Sequence, residues 1–95
     1  MKKYEIMYVL MSQLTDENRA AEIAKLHGIL ESNGAKIGEV KEWGLRDLAY
    51  EIKKQIKGYY VVTKVEAEPK AIAEFDRLAK INVNVIRHLV TVDQD

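Results

Sequence analysis

His27 and His88 are the only imidazoles in the chain, and neither has a second ligand at metal-binding spacing. His27 reads as a boundary residue of a helix and His88 as a strand residue. Ser12 and Ser32 fall in turns, without the strand-turn-helix context of a nucleophile elbow. Two carboxylate pairs stand out, Glu39 with Glu42 and Glu66 with Glu68. Strand alternation sends Glu39 and Glu42 to opposite faces, so both pairs read as solvated charge rather than a general acid and base. Met7 and Met11 share one strand face and read as packing. Gly34, Gly38, Gly44 and Gly58 are too scattered for a phosphate loop. The chemistry expected is therefore not catalytic, with no cofactor and no metal.

The basic residues say more. Lys2 and Lys3 open the first strand pattern, and Arg87 lies on the last. Alternation groups Arg87 with Val85, Leu89 and Thr91, opposite Ile86, His88 and Val90. Lys2, Lys3 and Arg87 are expected to gather at one end of a sheet and to touch phosphates, which position a protein without reading bases. The run Lys57-Gly58-Tyr59-Tyr60-Val61-Val62-Thr63-Lys64 begins like the signature strand of RNA-recognition motifs. Its fourth, fifth and eighth positions depart from that pattern. Alternation also turns Tyr59 and Val61 inward, away from any face that stacks bases.

Composition narrows the classes. The chain has 95 residues, no cysteine, and fifteen basic residues against fifteen acidic ones. One domain over residues 1–95 is expected, burying roughly two-thirds of its unfolded surface. Disulfides and thiolate metal sites are excluded. A neutral chain is a poor nucleic-acid binder by itself, so RNA binding needs a local patch and help from a basic partner. No apolar run approaches the roughly 20 residues of a membrane helix, and a cytoplasmic protein is expected.

The positioning elements follow from periodicity. Tyr4, Ile6, Tyr8 and Leu10 alternate with Glu5, Met7, Val9 and Met11 in a central strand. Thr15 caps a helix whose stripe is Ala20, Ile23, Ala24, Leu26, His27 and Leu30, and Asn33-Gly34 stops it. Residues 35–43 form a strand that Gly44 bends into a second half, where Leu48, Tyr50 and Ile52 alternate with Ala49, Glu51 and Lys53. A turn over 54–58 leads to a strand over 59–67. Pro69 starts a helix carrying Ala71, Ile72, Phe75, Leu78 and Ala79. Residues 85–92 form the last strand and 93–95 a frayed tail. The order β-α-β-β-α-β predicts an α+β, ferredoxin-like fold: a four-stranded antiparallel sheet with two helices on one face. The long bent strand then lies on an edge, where unpaired backbone groups invite a partner.

These residues resemble the bacterial small-subunit ribosomal protein six family over essentially the whole chain. The likeness rests on Lys3-Tyr4-Glu5-Ile6, Asn33-Gly34-Ala35, Gly44, Arg46, Leu48-Ala49-Tyr50, Ile52, Gly58-Tyr59 and Val85-Ile86-Arg87. Asp47 departs from it, standing where many members carry a second basic residue. The resemblance implies a ribosome-associated, RNA-binding structural protein of translation. It implies binding to the central domain of small-subunit ribosomal RNA, as a heterodimer with the strongly basic small-subunit ribosomal protein eighteen. Lys2, Lys3, Tyr4, Arg46 and Arg87 become the expected RNA contacts. Trp43, Leu45, Leu48 and Tyr50 become the expected partner contacts. Two other classes fit less of the chain: an independent single-strand RNA binder using Tyr59 and Tyr60, and a regulatory small-molecule domain, since this fold hosts many functions.

Overall fold

Strict alternation of apolar residues builds the sheet. The computed structural model of the chain describes residues 1–52 and 54–92. Six elements follow one another: β1 (Lys2–Met11), α1 (Asp16–Ser32), β2 (Lys36–Ile52), β3 (Gln55–Ala67), α2 (Pro69–Ile81) and β4 (Val85–Val92). The strands pair antiparallel in the order β2-β3-β1-β4. The central strands are β1 and β3, and β2 and β4 are the edges. This is the expected ferredoxin-like arrangement. Lys53, expected in the alternation of the long strand, and the tail 93–95 lie outside the described residues.

Tyr4, Ile6, Tyr8 and Leu10 from β1 meet Val61, Val65 and Ala67 from β3 on the helix-covered face. Leu26, Leu30, Ala71, Phe75, Ala79 and Val85 close the same cluster. Each large side chain sealed there contributes about 1.5–3 kcal/mol relative to exposure. The other face carries no helix. It presents Lys3, Glu5, Met7, Val9 and Met11 from β1 beside the even-numbered residues of β3.

Local signals place the helices. The Thr15 hydroxyl accepts the Asn18 backbone N–H at 3.1 Å, and Asp16 and Glu17 occupy the first turn, where the helix dipole favours negative charge. At the other end Ala35 N–H donates to the Leu30 carbonyl and Gly34 N–H to the Glu31 carbonyl, both at 3.0 Å. With Gly34 at φ 88°, this is a Schellman stop, and buried Ala35 packs near Leu30. The apolar stripe of α1 differs from the expected one. Ala20 and Ala24 are exposed, while Ile29 packs on the core. Ile29 removes more apolar area from water than either alanine does. The rotation also brings Glu22 to the turn after α2, where its carboxylate accepts the Asn82 and Asn84 side-chain amides at 2.9 Å each.

Two strand details also differ from expectation. The turn assigned to 54–58 is tighter, because β3 starts at Gln55 and Gln55 pairs with Ile52. Lys54 adopts φ 64° there, a left-handed conformation of the kind tight hairpin turns use. In β4, a bulge opposite Val9 and Leu10 inserts Ile86. Val85 therefore joins the core cluster, while Arg87 lies opposite Val9 on the uncovered face. The expected grouping of Val85 with Arg87 fails because one extra residue reverses the alternation.

One polar cluster sits under the helices. His27 Nε2 lies 3.0 Å from the Tyr8 hydroxyl and 3.2 Å from Thr63 Oγ1. Burial pushes the imidazole pKa below its usual value, against the smaller opposing pull of Glu31 and Glu42. A base held neutral by folding stabilises fully above its unfolded pKa, about 6.5, and loses that contribution as pH falls below it. The thermal midpoint of the parent should therefore fall more steeply from about pH 7 to about pH 5 than that of His27→Gln. Scanning calorimetry giving equal slopes would contradict this.

Candidate partner and RNA interface

The uncovered face and the β2–β3 ribbon are the surfaces the fold leaves for binding. β1 pairs with β3 only as far as Met11 opposite Gly58. The chain beyond that row, residues 47–52 of β2 and 55–57 of β3, extends past the sheet as two strands alone. Tyr50 is 63% exposed and Ile56 68% exposed on it, and Leu45 at its base is 58% exposed. Leu48 and Ile52 are half-buried. Exposed apolar side chains clustered on a projecting hairpin mark an interaction surface more than scattered ones do.

Gly44 makes the bend. It adopts φ 85°, and the pairing steps from Glu42–Val61 to Gly44–Tyr60. Trp43 is the extra residue of this bulge. Its indole reaches the uncovered face and stacks on Tyr60, with ring centroids 6.5 Å apart and planes 9° from parallel. The Arg46 guanidinium lies 5.2 Å from the indole centroid, a cation–π contact worth about 0.5–1 kcal/mol at an exposed site. Leu45 pairs with Tyr59 instead, on the helix side. Trp43 and Leu45 therefore flank β2 on opposite faces. Tyr59 is committed to that side: its hydroxyl donates to Glu42 Oε1 at 2.8 Å, and Arg19 lies 4.1 Å from its ring centroid. That hydrogen bond, followed by burial, raises its hydroxyl pKa.

The expected cation cluster is rearranged. Lys3 pairs with Glu66 and lies on the uncovered face, while Lys2 pairs with Ala67 on the helix side. Arg87 pairs with Val9, six residues along β1 from Lys3, or about 20 Å at the usual strand rise. Lys2, Lys3 and Arg87 do not gather at one end. Strand register, which alternation cannot reveal, decides this. Instead Gly44, Tyr60, Val9 and Arg87 form one row across all four strands, and Arg46, Gly58 and Met11 form the next. Arg46 and Arg87 thus stand at the same end of the uncovered face, on either side of Tyr60 and Val9. Tyr4 is only 8% exposed and belongs to the core. Gly58 permits the rows to close, since a Cβ there would stand 2.2 Å from Val9 Cγ1. Sequence reasoning passed over the Trp43–Tyr60 stack. Its signal was the glycine with an aromatic on its N-terminal side, opposite a second aromatic on the next strand.

The fold and these surfaces define a ferredoxin-like domain with an open sheet face and an overhanging edge ribbon, and no helix among the described residues is long and apolar enough to cross a membrane. Ribosomal protein S6 is the family whose pattern matches residues 3–91. The crystal structure of 30S ribosomal protein S6 from Thermotoga maritima is similar, with 26% identity and a TM-score of 0.91 over 97% of this chain and 87% of that one. The chain belongs to the ribosomal protein S6 family, and is accordingly a small-subunit ribosomal protein.

The bend has a measurable cost of removal. A Cβ on Gly44 meets nothing within 4 Å, so the penalty of Gly44→Ala is conformational. Left-handed backbone on a non-glycine residue costs about 1–2 kcal/mol, and urea titration should show a loss of that order. Trp43 is the only tryptophan, so its emission should report loosening of the Tyr60 stack in the same sample. Unchanged stability and emission would contradict the role assigned to Gly44.

Proposed function

We propose that this chain is a non-enzymatic structural constituent of the small ribosomal subunit that binds the central domain of small-subunit ribosomal RNA together with small-subunit ribosomal protein eighteen. The observation that carries this reading is the overhanging ribbon on a chain of zero net charge. A neutral domain gains little from phosphates alone, while an exposed apolar ribbon gains by covering Leu45, Leu48 and Tyr50 with a partner. A basic partner then supplies the charge that this chain lacks. Trp43 is the aromatic anchor on the opposite side of the same strand. Lys2, Lys3, Arg46 and Arg87 contribute phosphate contacts that hold the pair in place on RNA. The assembly belongs with ribosomes in the cytoplasm.

Replacing Leu45 and Tyr50 together by serine tests the partner surface. Both are exposed, so the fold should be nearly unaffected. Partner affinity should drop by about 2 kcal/mol or more, the size of a hot-spot loss, in titration calorimetry. Undiminished affinity would overturn the docking assignment. RNA titration checks the charge side: with about four phosphate contacts the slope of log affinity against log salt should be about −3 to −4. A slope beyond about −7 for this chain alone contradicts the small patch.

One observation favours a second reading, single-strand RNA stacking. Trp43, Tyr60 and Arg46 form an aromatic and basic cluster on the open face. Tyr59, held by Glu42 and Arg19 on the other face, takes no part in it. Replacing Trp43 and Tyr60 by leucine separates the readings. Stacking predicts a loss of about 1–3 kcal/mol per base from RNA affinity measured without the partner. Docking predicts loss of partner affinity with RNA affinity intact.

A further inference from the structure

We propose that Tyr59 and Glu42, backed by Arg19, brace the bend at Gly44 from the helix side and so set the direction in which the ribbon is offered to its partner. The brace spans the bulge. Glu42 lies opposite Val61, before the inserted residue, and Leu45 lies opposite Tyr59, after it. The Tyr59 hydroxyl donates to Glu42 Oε1 at 2.8 Å. That bond ties the β2 residue before the bend to the β3 residue that pairs with β2 beyond it. Opening or closing the bend changes this separation, and a hydrogen bond weakens as its length and angle depart from the optimum.

Arg19 fastens the brace to the body of the domain. Its guanidinium lies 4.1 Å from the Tyr59 ring centroid and 2.5 Å from Asp16 Oδ1, and its side chain is only 20% exposed. Asp16 belongs to the first turn of α1, so the pair holds the planar cation over the ring from the end of the helix. The Tyr59 ring itself packs against the core cluster. Helix α1 and strands β2 and β3 thus meet at one tyrosine. The open side of the same bend carries the Trp43–Tyr60 pair. The bend needs holding, because Gly44 is at φ 85°, where glycine has conformational freedom. Beyond the row of Met11 and Gly58, moreover, no third strand supports the ribbon.

Tyr59, Glu42 and Arg19 are positioning residues that act through Leu45, Leu48 and Tyr50. This role rests on the reading under Proposed function that the ribbon docks a basic partner. A ribbon already pointing in its bound direction has less conformational freedom to lose on docking. The brace therefore raises affinity without adding a contact.

The test uses the full chain and two measurements. Tyr59→Phe keeps the ring under Arg19 and removes only the hydroxyl. Residual dipolar couplings of the free chain should shrink over residues 45–52 in Tyr59→Phe and in Glu42→Ala. In Glu42→Gln, which keeps an acceptor, they should stay near those of the parent. The thermal midpoint should barely move, since these are surface substitutions. Partner affinity in titration calorimetry should fall about threefold in Tyr59→Phe. The double variant Glu42→Ala with Tyr59→Phe should lose no more than the larger single loss, as two ends of one interaction do. Parent-like couplings over 45–52 in Tyr59→Phe would overturn the brace. Loosened couplings with undiminished affinity would overturn the positioning role. A parent chain that does not bind the partner would count against the docking reading and the positioning role together, while the couplings of the free chain still decide the brace.

Discussion

The antiparallel pairing of β2 with β3 is the constraint on which the other features hang. It sets which residues of the long edge strand face the helices and which face the open side. Besides a register shift between Asp47 and Ile52, two one-residue bulges interrupt it, at Ile37–Val40 and at Glu42–Gly44. Each inserts one residue on β2 and increases the local twist. The second puts Leu45 on the face opposite Trp43 and bends the strand ahead of the ribbon. Without that extra residue, strict alternation from Glu42 would put Leu45 on the same open face as Trp43, and the helix side of the strand would lose it.

The ribbon stands out because the core does not need it. Tyr8, Phe75, Leu26, Leu30 and Ile6 are sealed by the two helices and the two central strands. None of the residues 47–52 contributes to that cluster. Polar groups at the margin of the core also find partners there, His27 with Tyr8 and Thr63, and Glu22 with Asn82 and Asn84. A hairpin that adds little to folding is free to be shaped for binding, which is where locally less stable segments concentrate. Its exposed edge is also an aggregation hazard, and the alternating charges Arg46, Asp47 and Glu51 along it blunt that hazard.

The sequence made the architecture legible wherever periodicity and caps agree. Tyr4 to Leu10 alternate cleanly, Thr15 and Gly34 bracket α1, and Pro69 opens α2, so element order and edge position followed. The bent strand at Gly44 was legible too, since a glycine within a strand pattern commonly marks a bulge or a bend. What stayed hidden depends on register. A single inserted residue at Ile86 put Val85 on the face opposite Arg87, Leu89 and Thr91, and nothing in the alternation marks it. The antiparallel register of β4 on β1 separately puts Arg87 beside Val9, at the far end of β1 from Lys3. Tyr4 was expected among the RNA contacts beside two lysines, yet period-two alternation with Ile6 and Tyr8 already grouped it with the core. The Glu22 clamp on Asn82 and Asn84 joins residues about sixty apart in sequence, which local pattern cannot reveal.

Hydrogen exchange of the free chain, then of the chain saturated with small-subunit ribosomal protein eighteen, tests the central claim most directly. The β2 edge amides from Gly44 to Ile52 should exchange fast alone and slow sharply once the partner is bound, while α1 and α2 change little. A partner that binds and slows exchange only on the helices, leaving the ribbon as fast as before, would contradict the account.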